Sequence, residues 1–369
     1  MIIKGKYNEA KVFSDELEEQ TRDQIQTLCD QWFLKEAKIR VMPDAHAGMG
    51  STIGTTLTVT DKVVPNLVGV DIGCGMLTVP IGKKEVDLRK LDMYIRGNIP
   101  SGFKNHKKPQ INYIEEIKSL KAISALDKSA EEFNKALGSL GGGNHFIEID
   151  RDDQEEQYLI FHSGSRNLGN RIARHYQKIA QHNLKDQSEI PKDLCYLEGK
   201  QLQDYLQDMD LIQRYAKVNR EVMARKVLEE FFNRPFESEE SFHTIHNYID
   251  LQDNILRKGA ISAKKGEKVL IPINMKDGSL LAEGLGNEDW NYSAPHGAGR
   301  LMSRKEAKRQ LSMEAFKQSM KGVYSSSVTA KTIDEAPMAY KPIEEILKHI
   351  HPTLVILKHL QPIYNFKAS

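Results

Sequence analysis

Five short segments of the 369-residue chain carry metal-ligating, nucleophilic or phosphate-holding side chains, four of them beside glycine. In "GVDIGCGM" an apolar run enters a glycine-flanked turn carrying Asp71 and Cys74, a carboxylate and a thiol that the turn can aim at one centre. The same pair also reads as a buried structural cysteine beside a turn-forming aspartate. In "GGGNHFIEI" strand alternation puts Asn144 and Glu148 on one face and His145 on the other, so the two faces could serve different ligands. In "LIFHSGSR" His162 ends an apolar run and is followed by Ser163, Ser165 and Arg166. Hydroxyls, turn amides and a guanidinium gathered there suit phosphate oxygens, which makes Arg166 a candidate substrate contact, although a helix N-cap with an exposed arginine has the same signature. In "FHTIHNYID" His243 and His246 stand one helical turn apart, a spacing that can face one metal, and a single ligand is enough. In "YSAPHGAGR" His296 precedes Gly297, Ala298 and Gly299, whose small side chains expose backbone amides, and Arg300 closes the turn. No GxxxxGK[ST] phosphate loop is present. Taken together, a carboxylate, a thiol and three histidines on glycine-rich strand ends give mixed oxygen, nitrogen and sulfur donors. That set argues against a four-cysteine structural zinc site and for a catalytic centre with room for two metals sharing the Cys74 thiolate.

The elements that must position these residues are legible in coarse form. Residues Ser14 to Lys35 are rich in helix formers with Leu17, Ile25, Leu28 and Trp32 at helical spacing, which predicts an amphipathic opening helix. From Ile39 to Val79 short β-branched runs are broken by glycine and read as buried strands joined by tight turns. A polar helical stretch is expected from Ile117 to Leu137, a strand at "HFIEI", and a helix at Asn170 to His182. From Lys185 to Glu240 the chain is charged, glutamine-rich and free of that punctuation, which predicts a helical insertion over 185–240. Strand and turn texture returns from Val269 to Gly299, and Ile343 to Leu360 mixes a helix with a final apolar run. One α/β (α+β) catalytic domain over 1–369 is the expected organisation. With 52 basic and 51 acidic residues the net charge is +1, so a nucleic-acid surface must be a local patch rather than a global field. Cys29, Cys74 and Cys195 are too far apart to form a disulfide framework, no hydrophobic stretch approaches a membrane span, and a soluble cytoplasmic monomer is expected.

The ordered motifs "PDAHAGMGSTIG", "VGVDIGCGM", "GGGNHFIEI", "HSGSRNLG", "HNY", "HGAGR" and "DEAPMAYK" resemble the RtcB family of RNA ligases over most of the chain, from Met42 to Lys367. The resemblance implies sheets flanked by helices around a metal-binding cleft. It implies that Asp71, Cys74, His145, His162 and His246 hold two Mn2+ ions and that His296 is the nucleophile that accepts a guanylate from GTP. It places Asn144, Glu148, Ser279, Tyr340 and Lys367 around that nucleotide, with the turn Gly297, Ala298, Gly299 and Arg300 on its phosphate. It further implies RNA carrying a 3′-phosphate or 2′,3′-cyclic phosphate and a 5′-hydroxyl as substrates, in repair or tRNA splicing. Where the family has a Gly-Ser-Met-Gly turn, this chain has Ile273, Asn274, Met275 and Lys276, so a serine contact to the nucleotide becomes Asn274.

Three rival readings use the same residues. A metal-dependent phosphodiesterase or phosphatase would activate water without any nucleotide adduct on His296. A capping enzyme would stop at modified 3′-phosphate ends of RNA or DNA. A binding module would hold RNA ends without turnover.

Overall fold

The protein, seen here as a computed structural model, is described over residues 1–237 and 240–368. It has the mixed α/β class expected, built on two large sheets. A seven-stranded antiparallel sheet runs, in spatial order, Phe242–Ile245, Gly75–Gly82, Gln157–Ser163, Phe146–Arg151, Leu354–Lys367, Gly278–Gly284 and Lys268–Asn274. Its two edges approach, Leu270 N donating to Thr244 Oγ1 at 3.0 Å, so the sheet curls almost into a barrel. Met76, Phe146, Ile160, Leu270 and Leu360 fill the inside, and Leu77, Ile147, Leu159, Phe161 and Phe366 face the helices outside. The six-stranded second sheet contains Ile39–His46 and Ile53–Thr58, the strands that carry the first glycine-rich motif.

The helix Gly199–Glu230 lies within the predicted 185–240 segment; positions 238 and 239 of that segment, and 369 of the predicted domain, fall outside the described residues. Tyr205, Met209, Ile212 and Tyr215 on it enter one core, and Met223, Ala224, Val227 and Leu228 enter the next. It also reaches the sheet directly: the fully buried Arg220 donates to the carbonyls of Gly73 and Ser163, each at 2.8 Å.

Two predicted helices are shorter than their sequence pattern. The opening helix covers only Glu19–Cys29; Gln31 turns extended, a 3-10 turn at Trp32–Leu34 buries Phe33 and Leu34, and Trp32 is left 41% exposed. The stretch from Ile117 to Leu137 becomes helices Ile114–Lys118 and Ala130–Asn134 with a 3-10 turn between. There Asp208 of the long helix accepts from Lys121 N and Ala122 N, tying the backbone to another element, and a Ser129–Glu132 capping box restarts the helix. The helix predicted at Asn170 to His182 extends over Arg166–Asn183. Among the described residues no helix is long and apolar enough to cross a membrane.

Candidate active site

Antiparallel register gathers the ligand-type residues. Met76 and Phe146 both pair with His162, so Cys74, just before one strand, and His145, just before another, arrive at the same end as His162. On the far side Ile245 pairs with Gly75, and His246 N donates to the Cys74 carbonyl at 2.9 Å. Cys74 Sγ lies 3.5 Å from His145 Nε2 and 3.3 Å from His162 Nε2, and the three buried side chains could hold a metal ion. Asp71 Oδ2 is 3.0 Å from His145 Nε2. The carboxylate can come this close because its neighbour is Gly164, where a Cβ would collide with it.

The electrostatics suit a metal. Burial holds His162 and His246 well below the usual imidazole range, helped by the neighbouring histidines, so both are neutral with a lone pair to give. Burial also pushes the Cys74 thiol well up, as does the Asp71 carboxylate, while Arg220 opposes both. Burial would raise Asp71 too, but the His145 hydrogen bond and the charge of Arg166 outweigh it and hold the carboxyl low. His246 Nδ1 is buried with no partner among the described residues, a lone pair of the kind a cation could take. The residues present therefore fit a metal.

The imidazoles of His145, His162, His246 and His296 stand in a row with ring centroids 5.3, 5.2 and 5.0 Å apart. His145 and Asp71 face a groove of about 1020 Å³ that also receives Arg166, Arg171, Arg174 and Lys178. His162, His246 and His296 face a separate cavity of about 250 Å³. Arg166 has a left-handed backbone, φ 56°, rare for a residue with a side chain, and donates to Ser139 Oγ and the Gly102 carbonyl. Gly141 beside it has no room for a Cβ, which would overlap the guanidinium.

The cavity wall combines distant segments. His296 follows the strand Ser293–Pro295, and its Nδ1 and backbone N both meet Asp44 Oδ2, at 2.7 and 3.2 Å. Nδ1 is thus occupied, and Nε2 is the ring nitrogen available for chemistry. Gly297, Ala298, Gly299 and Arg300 line the cavity with Asn144, Glu148, Tyr340 and Lys367. Lys367 Nζ lies 2.8 Å from Glu335 Oε2, Tyr340 OH donates to that oxygen at 2.7 Å, and Arg304 also pairs with Glu335. Burial would raise Glu335, but Lys367 and Arg304 pull it down to about 2. Arg300 donates to Tyr340 OH and the Asp334 carbonyl.

Two predicted contacts stand differently from the rest. Ser279 is fully buried on Gly278–Gly284 and does not line the cavity. Asn274 lines it, but its side chain is spent on its own turn, accepting from Lys276 N and Asp277 N and donating to Asp277 Oδ2. His243 does not join His246: on a strand, residues three apart face opposite ways, and His243 turns to Glu221 and Arg220. Asp44, Glu335 and Arg220 are not singled out by residue type and spacing. Asp44 and Glu335 do sit inside two of the quoted motifs, "PDAHAGMGSTIG" and "DEAPMAYK", whereas nothing local marks Arg220.

Comparison with known proteins agrees with this geometry. The family described as "RtcB: tRNA-splicing ligase RtcB" matches residues 31–368. The chain is 35% identical over 346 residues to the RNA-splicing ligase RtcB of Escherichia coli (strain K12), covering 84% of this chain and 85% of that relative. It is 27% identical over 399 residues to the tRNA-splicing ligase RtcB of Aeropyrum pernix, covering 83% and 82%. A match that spans the strand ends, the histidine row and the cavity wall alike places this chain in the RtcB family of RNA ligases.

Proposed function

We propose that the chain is an RNA ligase that joins a 3′-phosphate or 2′,3′-cyclic phosphate end to a 5′-hydroxyl end through a guanylate carried on His296. The observation that carries the reading is the fixing of His296 by Asp44 through Nδ1 at 2.7 Å beside a metal-type cluster. A neutral imidazole held in one tautomer presents Nε2 as a nucleophile. Nε2 attacks the α-phosphate of GTP, a P–N bond forms, and the bond to pyrophosphate breaks. A cyclic end first gains water, breaking its bond to the 2′ oxygen; the RNA 3′-phosphate then takes the guanylate, freeing His296, and the 5′-hydroxyl displaces GMP to form the new phosphodiester. Arg300 and the amides of Gly297 to Gly299 stand where phosphate charge develops. Asp71, Cys74, His145, His162 and His246 would hold two manganese ions, which supply Lewis-acid polarisation of phosphate oxygens when bound. Arg166, facing the larger groove, would position the RNA phosphate, and the whole chain would work as one catalytic domain.

Incubation with labelled GTP and manganese, followed by mass mapping, should find guanylate on His296 and nowhere else. His296→Ala should keep its manganese, lose the adduct and still complete the last displacement on RNA already guanylylated at its 3′ end. Hydrolysis of cyclic phosphate ends without any adduct would instead make the protein a phosphodiesterase, and guanylylated ends that never join would make it a capping enzyme.

A further inference from the structure

The histidine row stands between two openings, and the function above uses them from opposite ends. GMP leaves from the cavity at His296 in the last step. Attacking and leaving oxygens at phosphorus stand roughly in line, so the incoming 5′-hydroxyl arrives from the other end of the row, where His145 and Asp71 face the larger groove. One wall of that groove is the helix Arg166–Asn183, whose Arg171, Arg174 and Lys178 follow one another at helical spacing along a single stripe. Arg171 is paired with Asp127, whereas among the described residues no carboxylate pairs with the exposed Arg174 and Lys178, so their charge is open to backbone phosphates.

Beside this charge stands one aromatic ring in water. Phe103 lines the same groove and is fully exposed, while the other phenylalanines of the chain are buried or half-buried. It is not on a loose end. The preceding Gly102 donates its N–H to the Gly141 carbonyl at 2.7 Å and accepts from an Arg166 Nη at 3.0 Å, and the following Lys104 N–H donates to the Ser101 carbonyl at 3.3 Å. Arg166, the candidate phosphate contact, thus grips the backbone one residue away from the ring. A nucleotide whose phosphate meets Arg166 brings its base beside Phe103. Every base has a flat face that an aromatic ring can cover, provided the base is free of its pairing partner.

We propose that Phe103 is a specificity-determining residue whose ring stacks on the unpaired base at the 5′-hydroxyl end of the RNA. Stacking supplies what the basic stripe cannot, since phosphate contacts hold any strand in any register. The inference rests on the ligase reading given above.

The test follows, by fluorescence anisotropy, binding of the manganese-loaded protein to a single-stranded RNA hexamer with hydroxyls at both ends, and to copies lacking one base at each position in turn. In the wild type, removal of the base at the 5′ end should weaken binding about tenfold, and removal of bases further along should matter less. Phe103→Ala should bind the intact RNA as weakly as the wild type binds the copy without that base, and should be indifferent to the removal; Phe103→Trp should keep both the affinity and the discrimination. Stacking releases no counterion, so the slope of log affinity on log salt should be the same in Phe103→Ala and the wild type, whereas Arg174→Ala should lower it by about one. A wild type that binds every copy alike, or that reads a base elsewhere along the strand, overturns the proposal, and in the first case leaves the ring for a protein contact. A Phe103→Ala loss of equal size on intact and base-free RNA, or one that alters the salt slope, overturns it too. If the base dependence is as stated and yet His296 never carries an adduct, the proposed function fails while the stacking stands.

Discussion

The ligand row and the cavity wall meet between His246 and His296, yet they are built in opposite ways. In the row, each ligand-type residue sits at a strand end or in the turn leading into it, so the register of four adjacent strands is enough to gather them. Beside the ladder that sets Lys367 against Phe146, the wall joins segments that no ladder brings together: Asp44 and His296 are 252 positions apart, and Glu335 meets Lys367 from another element. Its connections are carried by charge, with Lys367, Arg300 and Arg304 around one buried carboxylate. Metal-type donors can be placed by backbone geometry, whereas a wall that gathers buried charges needs them to compensate one another.

The sharpest way to break the row is Cys74→Ala. Metal content and joining should both disappear with the far-UV spectrum unchanged, because a methyl group supplies no donor to the cation. Full manganese and normal turnover would remove Cys74 from the site. The wall is broken differently by Asp44→Asn, which should slow adduct formation about 10- to 100-fold by releasing the His296 ring while manganese stays bound. Metal loss in that variant would assign Asp44 to the row instead.

A smaller effect is expected from Lys367→Met, which should raise the nucleotide requirement about tenfold and lower Tm at neutral pH. The sign of its pH dependence follows from Glu335, held at about 2 against an ordinary 4.5. A carboxyl so depressed adds stability above pH 4.5 and loses it as pH falls toward 2. The Tm difference between wild type and variant should therefore shrink across that window, and a constant difference would mean that the ion pair contributes little. The smallest signal belongs to the row: with the thiol held well up by burial and Asp71, manganese binding must expel a proton and should tighten as pH rises. Calorimetry in buffers of unequal ionisation heat reads that proton, and none released would mean that the thiol is not a ligand.

These two constructions also explain what could be read from the sequence. Asp71, Cys74, His145, His162 and His246 were visible because each lies where an apolar run meets a turn, a pattern local to a few residues. Trp32 and His243 misled for the same reason: helical spacing carries no sign that Gln31 leaves the helix or that His243 sits on a strand. Phe103 was out of reach, since its place at the groove exists only once Gly102 is tied to Gly141 and Arg166. So was the position of the strand Leu354–Lys367 in the middle of the sheet.

That placement governs the order in which the molecule can be made. Among the described residues Leu354–Lys367 is the strand that pairs by backbone ladder with both the four strands from Phe242–Ile245 to Phe146–Arg151 and the pair Gly278–Gly284 with Lys268–Asn274. Until it emerges from the ribosome the sheet is two pieces with unpaired edges, exposed to wrong pairings. All four histidines of the row and Cys74 are already synthesised by then. A nascent chain stopped before Leu354 would hold the donors for a cation but not Lys367, so it could take up metal before the cavity wall proposed to hold the nucleotide is complete.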